Sequence, residues 1–401
     1  MKLSRKNKVL LLSCSIFIAV AALIVGYIVI KQPFTPKTFI ENPESFAKNV
    51  QNNKSLLGNN VYFSGIDRLD ITDKQGVVGI CYSTWFNPVV GSGKKIYDNS
   101  EILKEPDPTK RKWGGVTAFH FWGQPALGYY RSDDKAVIRE HMRLLSEANV
   151  DFIVIDNTNE SIGWKKNSYY KDMVLDPCTA LLSTMKEMRS EGLKTPALVF
   201  WSNSGELNAT DYDAVVVDTW KTFYESGEYA DLFVYWEGKP LLITTGAFPE
   251  SMNDNFTFRK MGGLETKLKE KEWSFLQPTP QNITMNNGQP EQVSVSAAYQ
   301  RSYMTNDDAV GRFGGKTFQV QWKRAFSVQP KIVLLTWWNE WIAQLSKDNN
   351  GAITFVDNYN PDFSRDIEPM KGGHGDQYYQ WMIQYITAFK EGQPFPENLI
   401  S

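Results

Sequence analysis

The feature that most constrains this chain is a rhythm that begins at Gly76. Short, wholly apolar runs alternate with segments whose apolar residues recur at helical spacing. Val77-Val78-Gly79-Ile80-Cys81-Tyr82 opens the series. A strand apolar on both faces has no side left for water, so it needs other layers above and below it. That is the requirement met by a parallel sheet built of βα units. Residues 134–149 carry Val137, Ile138, Met142, Leu144 and Leu145 near helical spacing and run into the strand Val150-Asp151-Phe152-Ile153-Val154-Ile155-Asp156. Residues 177–192 read as the next helix and 196–201 as the next strand. Residues 211–224 begin with a plausible N-cap but contain the strand-like Val215-Val216-Val217, so their type stays open.

Trp236-Glu237-Gly238-Lys239-Pro240 reads as a turn into the strand Leu241-Leu242-Ile243-Thr244. A short strand at 273–276 follows, then a helix at 318–328 feeding Ile332-Val333-Leu334-Leu335-Thr336-Trp337. A run at 353–356 and a helix at 376–389 close the series. Seven or eight such units suit a (β/α)8 TIM-type barrel better than an open doubly wound sheet, since no Gly-x-Gly-x-x-Gly follows the first strand. The barrel domain is placed at 76–401 and a polar, Pro- and Asn-containing stalk at 31–75.

Residues 9–30 are apolar or small throughout and carry no charge. As a helix they would extend about 33 Å, enough to cross a hydrocarbon core. Lys2, Arg5, Lys6 and Lys8 precede them without an acidic residue, which keeps residues 1–8 cytoplasmic and sends the rest outside. A membrane-anchored ectodomain is the expectation, with secretion after signal cleavage as the alternative. Cys14 reads as part of this helix, leaving Cys81 and Cys178 as the one possible disulfide pair in the domain.

A net charge of −2 gives no basis for a nucleic-acid partner. The three histidines, His120, His141 and His374, are widely spaced and have no Cys nearby, so neither a metal nor another cofactor is expected. Thirteen tryptophans point instead to ring surfaces, on which sugars stack through their flat C–H faces.

In a barrel of this kind, chemistry occupies the C-terminal strand ends. The first strand exits into Ser83-Thr84-Trp85-Phe86-Asn87, and the second into Asp156-Asn157-Thr158-Asn159-Glu160. The third ends at Trp201-Ser202-Asn203. The seventh gives Trp338-Asn339-Glu340-Trp341, and the last Asp357-Asn358-Tyr359, followed by Arg365-Asp366-Ile367-Glu368. Carboxylates and amides for hydroxyl groups, with indoles for ring faces, suit a polyol. Glu340, flanked by tryptophans, is expected to be desolvated and to hold a proton near neutrality.

Two stretches carry a family resemblance. Leu127-Gly128-Tyr129-Tyr130-Arg131-Ser132-Asp133-Asp134, then His141 and Asn149-Val150-Asp151-Phe152, resemble the early part of glycoside hydrolase family 99-like barrels, which include endo-α-mannosidases. Residues 235–240 resemble that group's aromatic-acid-Gly-Lys-Pro turn, and Trp338-Asn339-Glu340-Trp341 its Asn-Glu-Trp signature. Family 71 α-glucanases share a similar layout, and Phe152-Ile153-Val154-Ile155-Asp156 would suit them.

The resemblance implies glycosidic cleavage of an α-linked surface or extracellular polysaccharide, with Glu340 the first of two catalytic carboxylates. The second would lie three residues later, where this chain has Ala343. Asp156, Glu237, Asp357 and Glu368 are the available substitutes for it, and Asp156 and Glu340 are the favoured pair because both stand at strand exits. Trp85, His120, Tyr130, Asn157, Trp201, Glu237, Trp338, Asn339, Trp341, Asp357 and Glu368 are the expected substrate contacts. Ala343 keeps the alternative open of a non-catalytic glycan-binding protein assisting export or wall assembly.

Overall fold

Alternation along the strands decides which side chains fill the barrel and which meet the helices. The computed structural model describes residues 68–158, 168–204, 209–264 and 267–400. Its strands are β1 (Val77–Tyr82), β2 (Phe119–Phe121), β3 (Phe152–Asn157), β4 (Ala197–Ser202), β5 (Tyr235–Trp236) and β6 (Lys239–Thr244). There follow β7 (Thr257–Met261), β8 (Glu272–Trp273), β9 (Thr284–Asn286), β10 (Gln289–Ser296), β11 (Ile332–Thr336), β12 (Ile342–Lys347) and β13 (Ile353–Phe355). The longer helices are α1 (Lys135–Glu147), α2 (Asp176–Ser190), α3 (Ala209–Thr219), α4 (Lys316–Val328) and α5 (Gln377–Lys390).

The main sheet runs β8-β7-β6-β4-β3-β1-β11-β10-β9, and every neighbouring pair from β8 to β10 is parallel. The seam between β8 and β10 is bridged by a side chain. Gln292 takes the Ser274 N–H at 3.1 Å and donates to the Ser274 carbonyl at 2.8 Å, as a neighbouring strand would. The result is a nearly closed barrel.

Val78, Ile80, Ile153, Ile155, Leu198 and Phe200 face the helices, while Val77, Cys81, Phe152, Val154, Val199 and Trp201 fill the interior. Each such apolar side chain taken from water contributes roughly 1.5–3 kcal/mol. Gly79 is small for a reason: a Cβ there would fall 2.4 Å from the Phe152 ring. Cys81 points inward and Cys178 lies on the helix side, so the two do not form a disulfide with each other.

Several expectations are corrected. The βα alternation is incomplete: among the described residues, β6, β7, β8 and β10 are linked by a 3-10 turn (Glu250–Met252), loops and the β9 hairpin, with no α-helix. Residues 353–356 are not a barrel strand but part of β13, which joins β12 and β2 in a separate antiparallel sheet. Residues 211–224 are helical, with a π turn at Trp220–Tyr224. The end of the expected stalk belongs to the barrel: the Ile71 N–H donates to the Tyr235 carbonyl at 2.9 Å, and its side chain is buried in the interior cluster. The apolar stretch 9–30 lies outside the described residues, among which no helix is long and apolar enough to cross a membrane.

Candidate active site

Strand parity sorts the expected site residues. On β3, Phe152 and Val154 point inward, so Asp156 continues the inward set and Asn157 the outward one. Asn157 is buried and accepts from Cys178 Sγ on α2 at 3.6 Å, which makes it part of the helix packing rather than a substrate contact. Trp201 points inward from β4 and meets Phe275 at 5.3 Å and Trp337 at 6.2 Å. Beyond β11, Trp337 joins the interior cluster, whereas Trp338 turns outward, fully buried against His141 and Tyr379. Trp338 is therefore core, not an open ring surface.

At the inward mouth, a buried guanidinium organises the carboxylates. Arg365 Nη2 donates to Glu340 Oε2 and lies 3.4 Å from Asp357 Oδ1, and its Nη1 donates to Gln300 at 3.1 Å. Asn358 donates both to Glu340 Oε2 at 3.1 Å and to the Glu340 carbonyl at 2.8 Å. Asp366 accepts the Glu340 backbone N–H on one oxygen and the Trp122 indole N–H, at 2.7 Å, on the other. Both Glu340 side-chain bonds fall on Oε2; among the described residues Oε1 accepts none.

Glu340 and Asp156 are 2% and 3% exposed. Burial pushes the Glu340 carboxyl well above the usual carboxylate range, with the Arg365 guanidinium pulling the other way. Burial likewise lifts Asp156 to about 6, opposed by its hydrogen bonds with Thr158, the backbone one at 2.9 Å. Asp366 is lifted to about 7, again chiefly by burial. Asp357 is raised for the same reason and lowered in turn by Arg365. Asp156 feels both Asp357 and Arg365, so these groups share one electrostatic site.

The other expected contacts separate into layers. Glu368 is enclosed: Tyr130 donates to it at 2.6 Å, the Trp341 indole also donates, and His141 Nε2 lies 3.0 Å away. Asn339 is tied to the Ser83 backbone at 2.8 and 3.2 Å. Trp341 stacks on Trp122 at 4.4 Å and is fully buried. Tyr130, Asn339, Trp341 and Glu368 therefore form a wall that fixes the Glu340 segment. Trp85 is partly exposed, and its indole donates to the Asp156 carbonyl at 3.1 Å, at the rim.

His120 is not at the cleft. It is buried in β2, 4.9 Å from the Tyr97 ring, and burial lowers it to about 4, so it is neutral. Glu237 is exposed at φ +54°, in the turn between β5 and β6 at the opposite end of the barrel. It is a turn residue. Ala343 pairs with His120 across β12 and β2 and belongs to a small apolar cluster with Leu345, Phe355 and Trp113.

Sequence reasoning missed the roles of Arg365, Asn358 and Asp366, although a basic residue beside an acidic one in Ser364-Arg365-Asp366 was the available signal. It also missed Tyr303. This ring is 59% exposed, its hydroxyl reaches to 3.1 Å from where a Gly263 Cβ would sit, and its carbonyl accepts the Asp357 N–H at 2.9 Å. It stands beside the carboxylate cluster with no sequence pattern to mark it. Among the described residues, no group of three His, Cys, Asp or Glu is arranged to hold a metal ion.

Solved structures share this architecture. The endo-α-mannosidase of glycoside hydrolase family 99 from Bacteroides thetaiotaomicron superposes with a TM-score of 0.50 at 15% identity, covering 80% of this chain and 99% of that one. The chain has a family 99-like barrel fold. The same mannosidase in complex with BIS-TRIS-propane gives a TM-score of 0.48 at 17% identity over 80% and 98% of the two chains. A protein described as glycoside hydrolase-like gives 0.46 at 11% over 82% and 98%. No protein-family model and no curated protein sequence matches the chain. Asp156 stands at the C-terminal end of β3 and Glu340 follows β11, on the face where barrels of this type carry their chemistry.

Proposed function

We propose that the chain is a glycoside hydrolase acting on an α-linked cell-surface or extracellular polysaccharide. The observation that carries this reading is the pair of buried carboxylates at the barrel mouth, each shifted upward and both within reach of the Arg365 guanidinium. Glycosidic cleavage needs one carboxyl that donates a proton and one that attacks or activates water. Glu340 fits the donor: its Oε2 accepts from Arg365 and Asn358, so the proton sits on Oε1. Asp156, lifted only to about 6, is mostly ionised at neutral pH and fits the nucleophile or base. The partly exposed Trp85 and the exposed Tyr303 supply ring faces at the rim.

The segment 9–30 anchors this domain in the membrane with the barrel outside the cytoplasm; recovery of full-length chain in the soluble fraction after cell lysis would contradict that part. The catalytic reading is tested by incubating the full-length protein with soluble α-mannans and α-glucans and measuring new reducing ends. Release by the wild type and its loss in Asp156→Asn and Glu340→Gln support it. The non-catalytic alternative draws on one observation, the apolar surroundings of Ala343, and predicts binding of the same glycans without any release.

A further inference from the structure

A cavity of about 360 Å³ opens on the long connection between β1 and α1, and it contains none of the carboxylate-cluster residues. One wall is aromatic and aliphatic: Tyr97, Tyr129, Ile96 and Ile102. Tyr97 is held firmly, with His120 stacked behind it at 4.9 Å and the Gly114 backbone so close that a Cβ there would fall 2.7 Å from the ring. Its carbonyl accepts the Phe121 N–H at 2.8 Å, which ties the wall to β2.

The charges around the cavity do not cancel. Asp98 keeps its negative charge, but its oxygens are turned to partners within the protein: it caps the turn at Ser100 (2.7 Å to the N–H, 2.6 Å to the hydroxyl) and accepts the Tyr129 hydroxyl. Glu101 is paired with Lys104 at 2.7 Å. Lys95 and Lys112 are exposed, and among the described residues neither is within ion-pair distance of a carboxylate. Lys95 Nζ lies 4.5 Å over the Tyr97 ring, a position that a ring quadrupole favours and that holds the ammonium over the cavity wall. With Glu101 matched by Lys104, two ammonium groups stand against the one Asp98 carboxylate, so a single positive charge remains beside a flat apolar wall.

We propose that this cavity binds an anionic sugar residue, its carboxylate or phosphate held by Lys95 and Lys112 and its C–H face set against Tyr97 and the two isoleucines. The sugar half of the assignment rests on the proposed function; the anion half rests on the charges alone. The cavity would dock a charged residue of the glycan away from the cleaved bond.

The test is titration calorimetry of the full-length protein with oligogalacturonate, mannose 6-phosphate and a neutral mannan oligosaccharide. At least one anionic ligand is expected to bind ten-fold or more tighter than the neutral one, weakening with added salt. Which anion binds separates carboxylate from phosphate recognition. Lys95→Ala/Lys112→Ala is expected to lose that preference by ten-fold or more, and Glu340→Gln to retain it. Both lysines are exposed, and an unchanged near-UV spectrum of the double variant would exclude misfolding. Equal affinity for neutral and anionic ligands, absence of binding, or unchanged binding by the double variant overturns the proposal. Loss in Glu340→Gln but not in the lysine variant moves the ligand to the mouth, overturning this site while leaving the proposed function intact. Anion binding that needs the lysines, in a protein whose Glu340→Gln variant still cleaves glycan, does the reverse.

Discussion

Both ends of the barrel bury an arginine among carboxylates, and the two arrangements are built differently. Towards the N-terminal end, Arg259 and Glu291 make a bidentate pair at 2.7 and 2.9 Å. The third guanidinium nitrogen donates to the Phe258 carbonyl at 2.8 Å, and Trp236 covers the plane at 3.9 Å. The Trp273 indole completes Glu291 at 2.6 Å. One cation meets one anion, and each polar atom of the guanidinium is answered. At the C-terminal end, Arg365 faces Glu340 and Asp357 with Asp156 and Asp366 in electrostatic reach, and its Nε has no partner among the described residues. There the acids outnumber the cation and their pKa values climb. Satisfied buried charge serves the fold; mutually opposed buried charge persists where chemistry requires it. On the proposed function, one end serves stability and the other activity.

That division can be broken by substitution. The largest expected effect is on turnover: Asp156→Asn should lower glycan cleavage by about 10²–10⁴-fold, the usual worth of a positioned acid or base. A reducing-end assay that finds full activity would remove Asp156 from the site. Next comes Glu291→Ala, which strands Arg259 and the Trp273 N–H in the interior and should cost about 3–5 kcal/mol in chemical denaturation. A loss below about 1 kcal/mol would show that the N-terminal pair is not structural in the sense argued.

The pH dependence sharpens the same contrast. Burial lifts the folded-state pKa of Asp156 to about 6, above the ordinary aspartate value of 3.8, so the folded state holds its proton more tightly than the unfolded chain. Its contribution to stability is thus present below about pH 4 and is lost as pH rises through about 6, on the order of 3 kcal/mol if no other group responds. Asp156→Asn should therefore gain on the wild type between those pH values, and denaturation at pH 4 and pH 7.5 checks the sign. The acidic limb of the activity profile should fall near 6, where Asp156 loses its charge. The smallest effect expected is that of Tyr303→Ala. A lost ring contact of about 1 kcal/mol should raise KM roughly five-fold and leave kcat nearly unchanged.

Much of the helix-backed half was legible in the sequence. β1, β3, β4 and β11 are apolar on both faces, and α1, α2, α4 and α5 show the spacing that packs against them. The other half was not. β7 and β10 carry Arg259, Glu291 and Gln292 into the interior, so their polarity hid two barrel strands. The apolar run at β13 looked like a barrel strand because burial in a small satellite sheet leaves the same signature. At the proposed site, Asp156 and Glu340 stand out by their position after apolar runs, and both are buried. Trp338, Trp341 and Asn157 were misread because residue type does not reveal which face of a strand end a side chain takes. Tyr303 was invisible, since an exposed ring in a loop has no periodic neighbour to mark it.

The central claim is that the mouth carries the activity without supporting the fold, and Glu340→Gln tests it most directly. A neutral amide reproduces the shape of the protonated carboxyl but has no proton to give. Cleavage rate and unfolding free energy measured on the same preparation should then part company: activity falls by 10²-fold or more, while stability stays within about 1 kcal/mol of the wild type. Retained cleavage, or unfolding losses as large as those of Glu291→Ala, would contradict the account.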